Sequence, residues 1–204
     1  MAVGRKREFD EHIALRRAME VFWLKGYTGA SLAELTQQMG INKTSMYSAF
    51  GNKAALFVKA TRHYIETEMH EHFQWLQASD VSLACRLRNY MLSVVSMQSA
   101  TPHPRGCFLV LCQSESAAGD MPAEANALLE QEDRMALDMF TALFTQDPES
   151  IALGLDKTAA ANALTVYTVL KGTASMARSG VSANQLEVVI ETTLRGIGLE
   201  LGPG

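Results

Sequence analysis

The stretch SLAELTQQMGINKTSMYSAF, residues 31–50, carries the pattern that decides the fold. Ser31 and Glu34 have the spacing of a capping box, in which the two side chains satisfy free backbone N–H groups at a helix start. Gly40 is placed to end that helix, because glycine readily takes the left-handed conformation found after a helix C-terminus. The first half of the stretch therefore predicts one short helix.

The second half predicts another short helix, from Lys43 to Phe50, with Asn42 as its N-cap. Leu35, Ile41 and Met46 are spaced to form a small apolar core between the two helices. Two short helices that meet at a tight glycine turn predict a helix-turn-helix motif.

One face of the second helix is polar and contains no acidic residue. Its amine and hydroxyl groups can contact DNA phosphates and base edges, whereas a carboxylate there would repel the DNA backbone. We therefore predict that this helix reads the major groove of double-stranded DNA. Its candidate contacts are Lys43, Thr44, Ser45, Tyr47 and Ser48.

The charge distribution favours the same interpretation. The net charge of the 204-residue chain is −4, yet residues 1–62 hold ten Lys and Arg against five Asp and Glu. A basic N-terminal part on an acidic remainder predicts that only the first part binds a polyanion. Three cysteines without metal-finger spacing, and no apolar run of the length that a membrane helix needs, favour a cytoplasmic protein that does not enter a membrane.

Helical periodicity extends over the remaining sequence, without the alternation typical of strands. A first helix should end at Gly26, and a long fourth helix should begin at about Lys53. The predicted fold is therefore all-α, with about nine helices. The last five are predicted at about 80–100, 106–117, 122–145, 156–178 and 183–201.

Residues 10–60 resemble the N-terminal part of the tetracycline-repressor (TetR) family of bacterial regulators. The resemblance rests on Phe22 with Gly26-Tyr27, Ser31-Leu32 with Leu35, Gly40-Ile41-Asn42-Lys43 with Ser45-Met46-Tyr47 and Phe50, and Lys53 with Leu56. It implies an N-terminal helix-turn-helix domain of three helices at residues 1–52. It also implies a larger helical domain for ligand binding and dimerisation at residues 53–204.

The resemblance implies roles for single residues. The residues nearest the bases would be Thr44, Ser45 and Ser48, and the phosphate contacts would be Ser31, Tyr47 and Lys53. Arg5, Lys6 and Arg7 would form either an arm along the DNA or a solvated tail. Thr36 departs from the family pattern, which has a small alanine there, so its hydroxyl should bond to the backbone one turn back. Thr44 also departs from it, so the operator sequence cannot be taken from a relative.

A small-molecule effector is expected in the larger domain. The candidates for its site are mostly large apolar residues, which would suit an apolar or weakly polar effector. They are Tyr90, Met91, Val94, Cys107, Phe108, Leu111, Met135, Met139, Phe140 and Tyr167.

The last two helices are expected to form a homodimer interface, because a two-fold dimer matches a palindromic operator. The preceding helix offers small residues that permit close helix approach. The apolar stripe that suggests the interface is Leu186, Val189, Ile190, Thr193, Leu194, Ile197 and Leu201.

These features predict a ligand-responsive transcriptional regulator, a repressor that leaves its operator when an effector binds. Ser, His and Asp stand in no catalytic arrangement, and the sequence contains no glycine loop that would hold a phosphate. We therefore expect neither an enzymatic activity nor a cofactor, and no metal.

An alternative hypothesis is a regulator that senses oxidants, electrophiles or a metal through Cys107. This residue follows Arg105-Gly106 and should lie in the first turn of the sixth helix. The helix N-terminus and the Arg105 charge would then favour its thiolate. Cys107 and Cys112 lie five residues apart and do not share a helix face, so a metal site would need a further ligand, for which Cys85 and His103 are the candidates.

Overall fold

The structure is a computed structural model that describes residues 9–78, 80–101, 104–117, 119 and 121–201. In these ranges it is helical and contains no strand, as predicted. The described residues form ten α-helices, namely α1 (Glu11–Gly29), α2 (Leu32–Met39), α3 (Lys43–Phe50), α4 (Lys53–Tyr64), α5 (Leu83–Ser99), α6 (Phe108–Ser116), α7 (Ala123–Gln146), α8 (Pro148–Ala152), α9 (Ala159–Arg178) and α10 (Ala183–Gly196). None of the described helices combines the length and hydrophobicity that crossing a membrane requires.

We call α1–α3 the head and α4–α10 the body. The one helix that the sequence did not predict is α8, which is five residues long and therefore too short for periodicity to reveal. Pro148 occupies its first turn, where a missing N–H costs nothing. The Asp147 carboxylate caps it by accepting from the N–H groups of Glu149 at 2.9 Å and Ser150 at 3.2 Å.

Side-chain caps set the ends of the two short helices in the head. The Ser31 hydroxyl accepts from the Glu34 N–H at 3.2 Å, but the Glu34 carboxylate pairs with Lys25. Only the serine half of the predicted capping box therefore forms. At α3, Asn42 Oδ1 accepts from the Ser45 N–H at 2.8 Å, which confirms the predicted N-cap.

Thr36 is buried on α2, where its hydroxyl needs a partner. Its Oγ1 donates to the carbonyl oxygens of Leu32 at 2.9 Å and Ala33 at 3.0 Å, the first of which lies one turn back. The structure confirms the predicted bond, which satisfies the hydroxyl inside the head.

A kink interrupts α1 at Gly26, the predicted end of the first helix. Gly26 has φ +74° and ψ −179°, and the chain then continues helically beyond it. The kink interrupts the regular hydrogen bonding of α1, so the N–H groups of Tyr27 and Thr28 and the carbonyls of Trp23 and Leu24 can be reached by other parts of the protein.

The helical path that begins with α4 changes its hydrogen-bond pattern after Tyr64. It continues as a π-helical turn at Ile65–Met69 and then as a 3₁₀ segment at His70–Gln77. Changes of this kind in a continuous helix often mark hinges or functional sites. Here the change lies where the chain passes from contact with α1 in the head to contact with α5 in the body.

The buried side chains form two clusters. The first joins the head to α4, α6 and the start of α7, and the second fills the body between α5, α7, α9 and α10. Within the first cluster, the Phe57 ring of α4 lies edge-on to Phe22 of α1 and to Phe108 of α6, at centroid distances of 5.0 and 5.7 Å. Head and body therefore share one aromatic core.

Candidate nucleic-acid interface and internal cavity

The polar face of α3 points into solvent. Lys43, Thr44, Tyr47 and Ser48 are exposed, Tyr47 by 48 %, and Ser45 is half buried. Since α3 contains no acidic residue, this face can approach a polyanion without repulsion. The other predicted contact of the motif, Ser31, is exposed at the start of α2.

The opposite face of α3 holds the helix in place. Met46 and Phe50 are buried in the core of the head. At the C-terminal end, the Lys59 ammonium on α4 donates to the Ala49 carbonyl at 3.1 Å and lies 5.5 Å from the centre of the Phe50 ring. A cation at this end also opposes the negative pole of the helix dipole. The exposed residues of α3 are thus presented on a fixed support.

Lys53, the predicted phosphate contact at the start of α4, is half buried. Its ammonium lies 4.5 Å from the centre of the Tyr27 ring, a cation–π distance. Burial lowers the pKa of Lys53, and the nearby Glu115 carboxylate partly offsets that shift. The side chain is therefore positioned by contacts of its own, beside the kink in α1.

Two side chains of the body form hydrogen bonds with the backbone groups on either side of the kink in α1. Glu115 on α6 accepts from the Tyr27 N–H at 2.6 Å and from the Thr28 N–H at 3.3 Å. Arg178 at the end of α9 donates to the carbonyls of Trp23 at 3.1 Å and Leu24 at 2.8 Å. No local pattern predicts these contacts, because the partners are 87 to 155 residues apart in the sequence.

A cavity of about 410 Å³ lies inside the body. Its walls come from α5, α6, α7, α9 and the π-helical turn with the segment that follows it, and most of its lining side chains are apolar. Seven of the residues predicted for an effector site line it, namely Tyr90, Val94, Cys107, Met135, Met139, Phe140 and Tyr167.

Three other predicted residues do not line the cavity. Met91 is fully buried in the second cluster. Phe108 is used in the core shared with the head, where its ring lies 5.4 Å from that of Tyr64. Leu111 is half buried on α6, which turns Leu109 and Val110 toward the cavity instead.

An ionic cluster lies beside the cavity and ties three helices together. Asp133 on α7 accepts from Gln113 Nε2 of α6 at 2.6 Å and from the Tyr167 hydroxyl of α9, and it pairs with the Lys171 ammonium at 3.0 Å. Three donors satisfy one carboxylate, so the charges of Asp133 and Lys171 balance each other within the protein.

Cys107 differs from its predicted environment. It is the N-cap of α6 rather than a residue of the first turn, and it is buried. Burial raises the pKa of its thiol, although a hydrogen bond from the Tyr64 hydroxyl at 3.4 Å acts in the opposite direction. Arg105 is exposed. The predicted stabilisation of the thiolate was therefore wrong, because desolvation outweighs the helix N-terminus.

Four residues for which the sequence suggested a role lie outside the described residues. They are Arg5, Lys6, Arg7 and His103. Cys85 is half buried on α5. Cys112 is buried on α6, and burial raises the pKa of its thiol well above its usual range. Among the residues that the structure describes, no group of three or more His, Cys, Asp or Glu could hold a metal ion.

The apolar stripe of α10 is largely used within the chain. Leu186, Ile190 and Leu194 are buried where α10 packs on α5 and α9. Four large apolar side chains of the last two helices remain exposed. They are Leu164, Met176, Val188 and Val189.

The exposed face of α3 and the glycine turn before it define a helix-turn-helix protein of the DNA-binding class. The model of the family described as "Bacterial regulatory proteins, tetR family" matches residues 14–60. A solved structure of a cysteine mutant of the TetR family transcriptional regulator CifR, complexed with 26-base-pair double-strand operator DNA, is similar throughout. It is 33% identical to this chain with a TM-score of 0.82, and the match covers 94% of this chain and 98% of that one.

Two relatives described as transcriptional repressors are also similar to this chain in sequence. The HTH-type transcriptional repressor ComR of Escherichia coli (strain K12) is 29% identical over 194 residues, which cover 94% of this chain and 90% of ComR. The HTH-type transcriptional repressor BdcR of the same organism is 43% identical over 65 residues, about a third of each chain. The chain belongs to the TetR family; it is a transcription factor and not an enzyme.

Proposed function

We propose that the protein is a cytoplasmic, homodimeric repressor that leaves a palindromic operator when a small effector enters its body. The observation that carries this proposal is the exposed, acid-free face of α3 on its fixed support. Residues 1–52 bind the DNA, and residues 53–204 bind the effector and dimerise. The relatives described as a repressor and as a regulator bound to operator DNA support this function.

Each residue of the interface has a role in this proposal. Bases are read by Thr44, Ser45 and Ser48, and Lys43 adds a positive charge to the same face. Phosphates are bound by Ser31, Tyr47 and Lys53, with the N–H groups at the start of α2 beside the Ser31 hydroxyl.

The effector acts through the helical path that joins α3 to the cavity. α4 packs against the head, and its continuation places Ile65 and Met69 in the cavity wall. An effector that binds better to one orientation of this path shifts the population toward that orientation. The two α3 helices of a dimer then no longer match successive major grooves.

A second connection runs through α6. Val110 and Gln113 of this helix line the cavity, and Glu115 in its last turn accepts hydrogen bonds from the N–H groups of Tyr27 and Thr28 in the head. A small displacement of α6 by a bound molecule would therefore strain or release the kink in α1. Both connections therefore lead from the cavity to the head, which holds α3 in place.

Selection of bound fragments from bacterial genomic DNA tests the function directly. We expect an enriched palindrome whose half-sites lie about 10 base pairs apart, or a multiple of that spacing, as a two-fold dimer requires. The genes beside the enriched sites would suggest the effector. Recovery of no enriched sequence at low salt, where phosphate contacts are strongest, would contradict the proposal.

The exposed apolar side chains of α9 and α10 support the proposed dimer interface. Leu164 is 55% exposed, Met176 51% and Val188 62%. Between the first two lies Gly172, where an added Cβ would meet nothing within 4 Å of it in the chain. An apolar face with room for close helix approach suits a second copy of the same chain.

Leu164→Glu is expected to convert the dimer to monomer, because a carboxylate would be buried in the interface without a partner. Light scattering coupled to size-exclusion chromatography measures the change, and operator affinity should fall with it. Gln131→Glu on α7 adds the same charge at another exposed helical position and should remain dimeric. A dimeric Leu164→Glu protein would place the interface elsewhere.

Thiol sensing is the second candidate function, and one observation favours it. The Cys107 sulfur lies in the cavity wall, 3.4 Å from the Tyr64 hydroxyl, so a molecule in the cavity can reach it. Because burial raises its pKa, an electrophile with affinity for an apolar cavity would react more readily than peroxide would.

In this case a small quinone should release operator DNA from the wild-type protein and not from Cys107→Ser, whereas dilute peroxide should have a weaker effect. Fluorescence anisotropy of a labelled operator follows the release. Equal release from both proteins, or release from neither, would leave Cys107 as a lining residue only.

A further inference from the structure

Tyr90 on α5 is the most confined polar side chain of the cavity wall that has no partner. It is 4% exposed. Its ring is fixed between Phe73, with centroids 5.9 Å apart, and Phe140, with centroids 5.7 Å apart. Its hydroxyl makes no hydrogen bond to any residue in the described part of the chain, so it is open to a hydrogen bond with a molecule in the cavity.

The Tyr90 hydroxyl remains a hydrogen-bond donor. Burial raises its pKa far above the physiological range, and the nearby Cys107 thiol contributes to the same shift. Tyr90 and Cys107 both line the cavity. A ligand that reaches Tyr90 meets a fixed O–H group.

Four other polar residues of the cavity wall, Gln98, Gln113, Tyr167 and Lys171, are already used within the protein. Gln98 donates to the Leu170 carbonyl at 3.3 Å and accepts from the Thr173 hydroxyl at 3.0 Å. Gln113, Tyr167 and Lys171 are held by Asp133 in the ionic cluster described above. Compared with these groups, the Tyr90 hydroxyl is available to a ligand without breaking a protein contact.

The charge of the lining disfavours an anion. Glu132 is half buried, and its carboxylate has no hydrogen bond or ion pair among the described residues. Burial raises its pKa, as expected for a carboxyl group that lacks a cationic neighbour. The Lys171 charge is balanced by Asp133. A negatively charged ligand would therefore meet an unbalanced carboxylate.

We propose that the cavity binds a neutral, largely apolar molecule that carries a hydrogen-bond acceptor, and that the Tyr90 hydroxyl donates to that acceptor. The inference rests on the proposed function, since it specifies the chemical class of the effector. A carbonyl or ether oxygen attached to a ring system meets the requirement.

Three probes of matched shape test this specificity by isothermal titration calorimetry: 2-acetylnaphthalene, 2-ethylnaphthalene and 2-naphthoate. The wild-type protein should bind the ketone about tenfold more tightly than the hydrocarbon, the effect of one buried neutral hydrogen bond. It should bind the carboxylate more weakly than the ketone. Tyr90→Phe should lose the preference for the ketone and bind the hydrocarbon unchanged.

Tyr27→Phe is the matched control, because it also removes one tyrosine hydroxyl but Tyr27 lies in the head and does not line the cavity. This variant should keep the tenfold preference. Absence of ketone binding, a preference that persists in Tyr90→Phe, or tightest binding of the carboxylate would each overturn the inference. Operator binding without probe is measured in parallel on the same samples, so a failure of the proposed DNA-binding function is seen separately.

Discussion

Replacing Gly106 by alanine is expected to lower the melting temperature by about 10 °C. Gly106 has φ +87°, and an added Cβ would lie 2.8 Å from the Ala174 carbonyl oxygen and 3.1 Å from Arg178 Cβ. The left-handed backbone costs a non-glycine residue about 1–2 kcal/mol. The overlap with the α9 backbone adds roughly 1–3 kcal/mol, and each kcal/mol shifts the melting temperature by about 2–4 °C in a domain of this size.

Gly180→Ala separates the two contributions. Gly180 also has a positive φ of +97°, but an added Cβ would meet nothing within 4 Å. This variant should lose only the part due to the backbone conformation, about 1–2 kcal/mol. Calorimetric scans of both variants provide the comparison. Equal losses would mean that the close packing of Gly106 on α9 does not contribute to stability.

Ser48→Glu is expected to weaken operator binding at least 100-fold. Ser48 is exposed on the polar face of α3, where a new carboxylate would face phosphates and base edges. Juxtaposed like charges in an interface cost several kcal/mol, and each 1.4 kcal/mol is about a factor of ten in affinity. Glutamate is a good helix former, so the fold of the head should be retained.

Fluorescence anisotropy on a selected operator fragment, at one fixed salt concentration, measures this loss. Gln131→Glu changes the net charge equally but lies on α7 in the body, so its affinity should stay within a factor of two or three of wild type. If Ser48→Glu bound the operator as tightly as this control, the polar face of α3 would not be the DNA-binding surface.

The elements that the sequence predicts best are those with a local cause. The Asn42 cap, the Thr36 hydrogen bond and the two helices of the motif all depend on residues within one or two turns. They follow from helix physics together with a specific motif. The contacts of Glu115 and Arg178 with the kinked part of α1 join distant segments, and only the fold brings them together.

Two predictions were limited by the same lack of information. Periodicity correctly identified Leu186 and Ile190 as one apolar face, but it could not show that α5 and α9 of the same chain cover that face. Likewise, the sequence placed Cys107 near a helix start and near Arg105, but it could not show how completely the thiol is buried. In both cases the sequence pattern was read correctly. The burial of the side chains depends on the elements packed against them, which the sequence alone does not give.

The aromatic core shared by head and body restricts how relatives can exchange operator preference. A chimaera joined at residue 52 would set Phe22 and Tyr27 of one protein against the Phe57 position of another, across centroid distances of 5.0 and 5.1 Å. The head therefore cannot be exchanged as a separate unit, because side chains of α4 and α6 form part of its core. New DNA preferences in this protein are more readily reached by changes on the exposed surface of α3, which leave that interior intact.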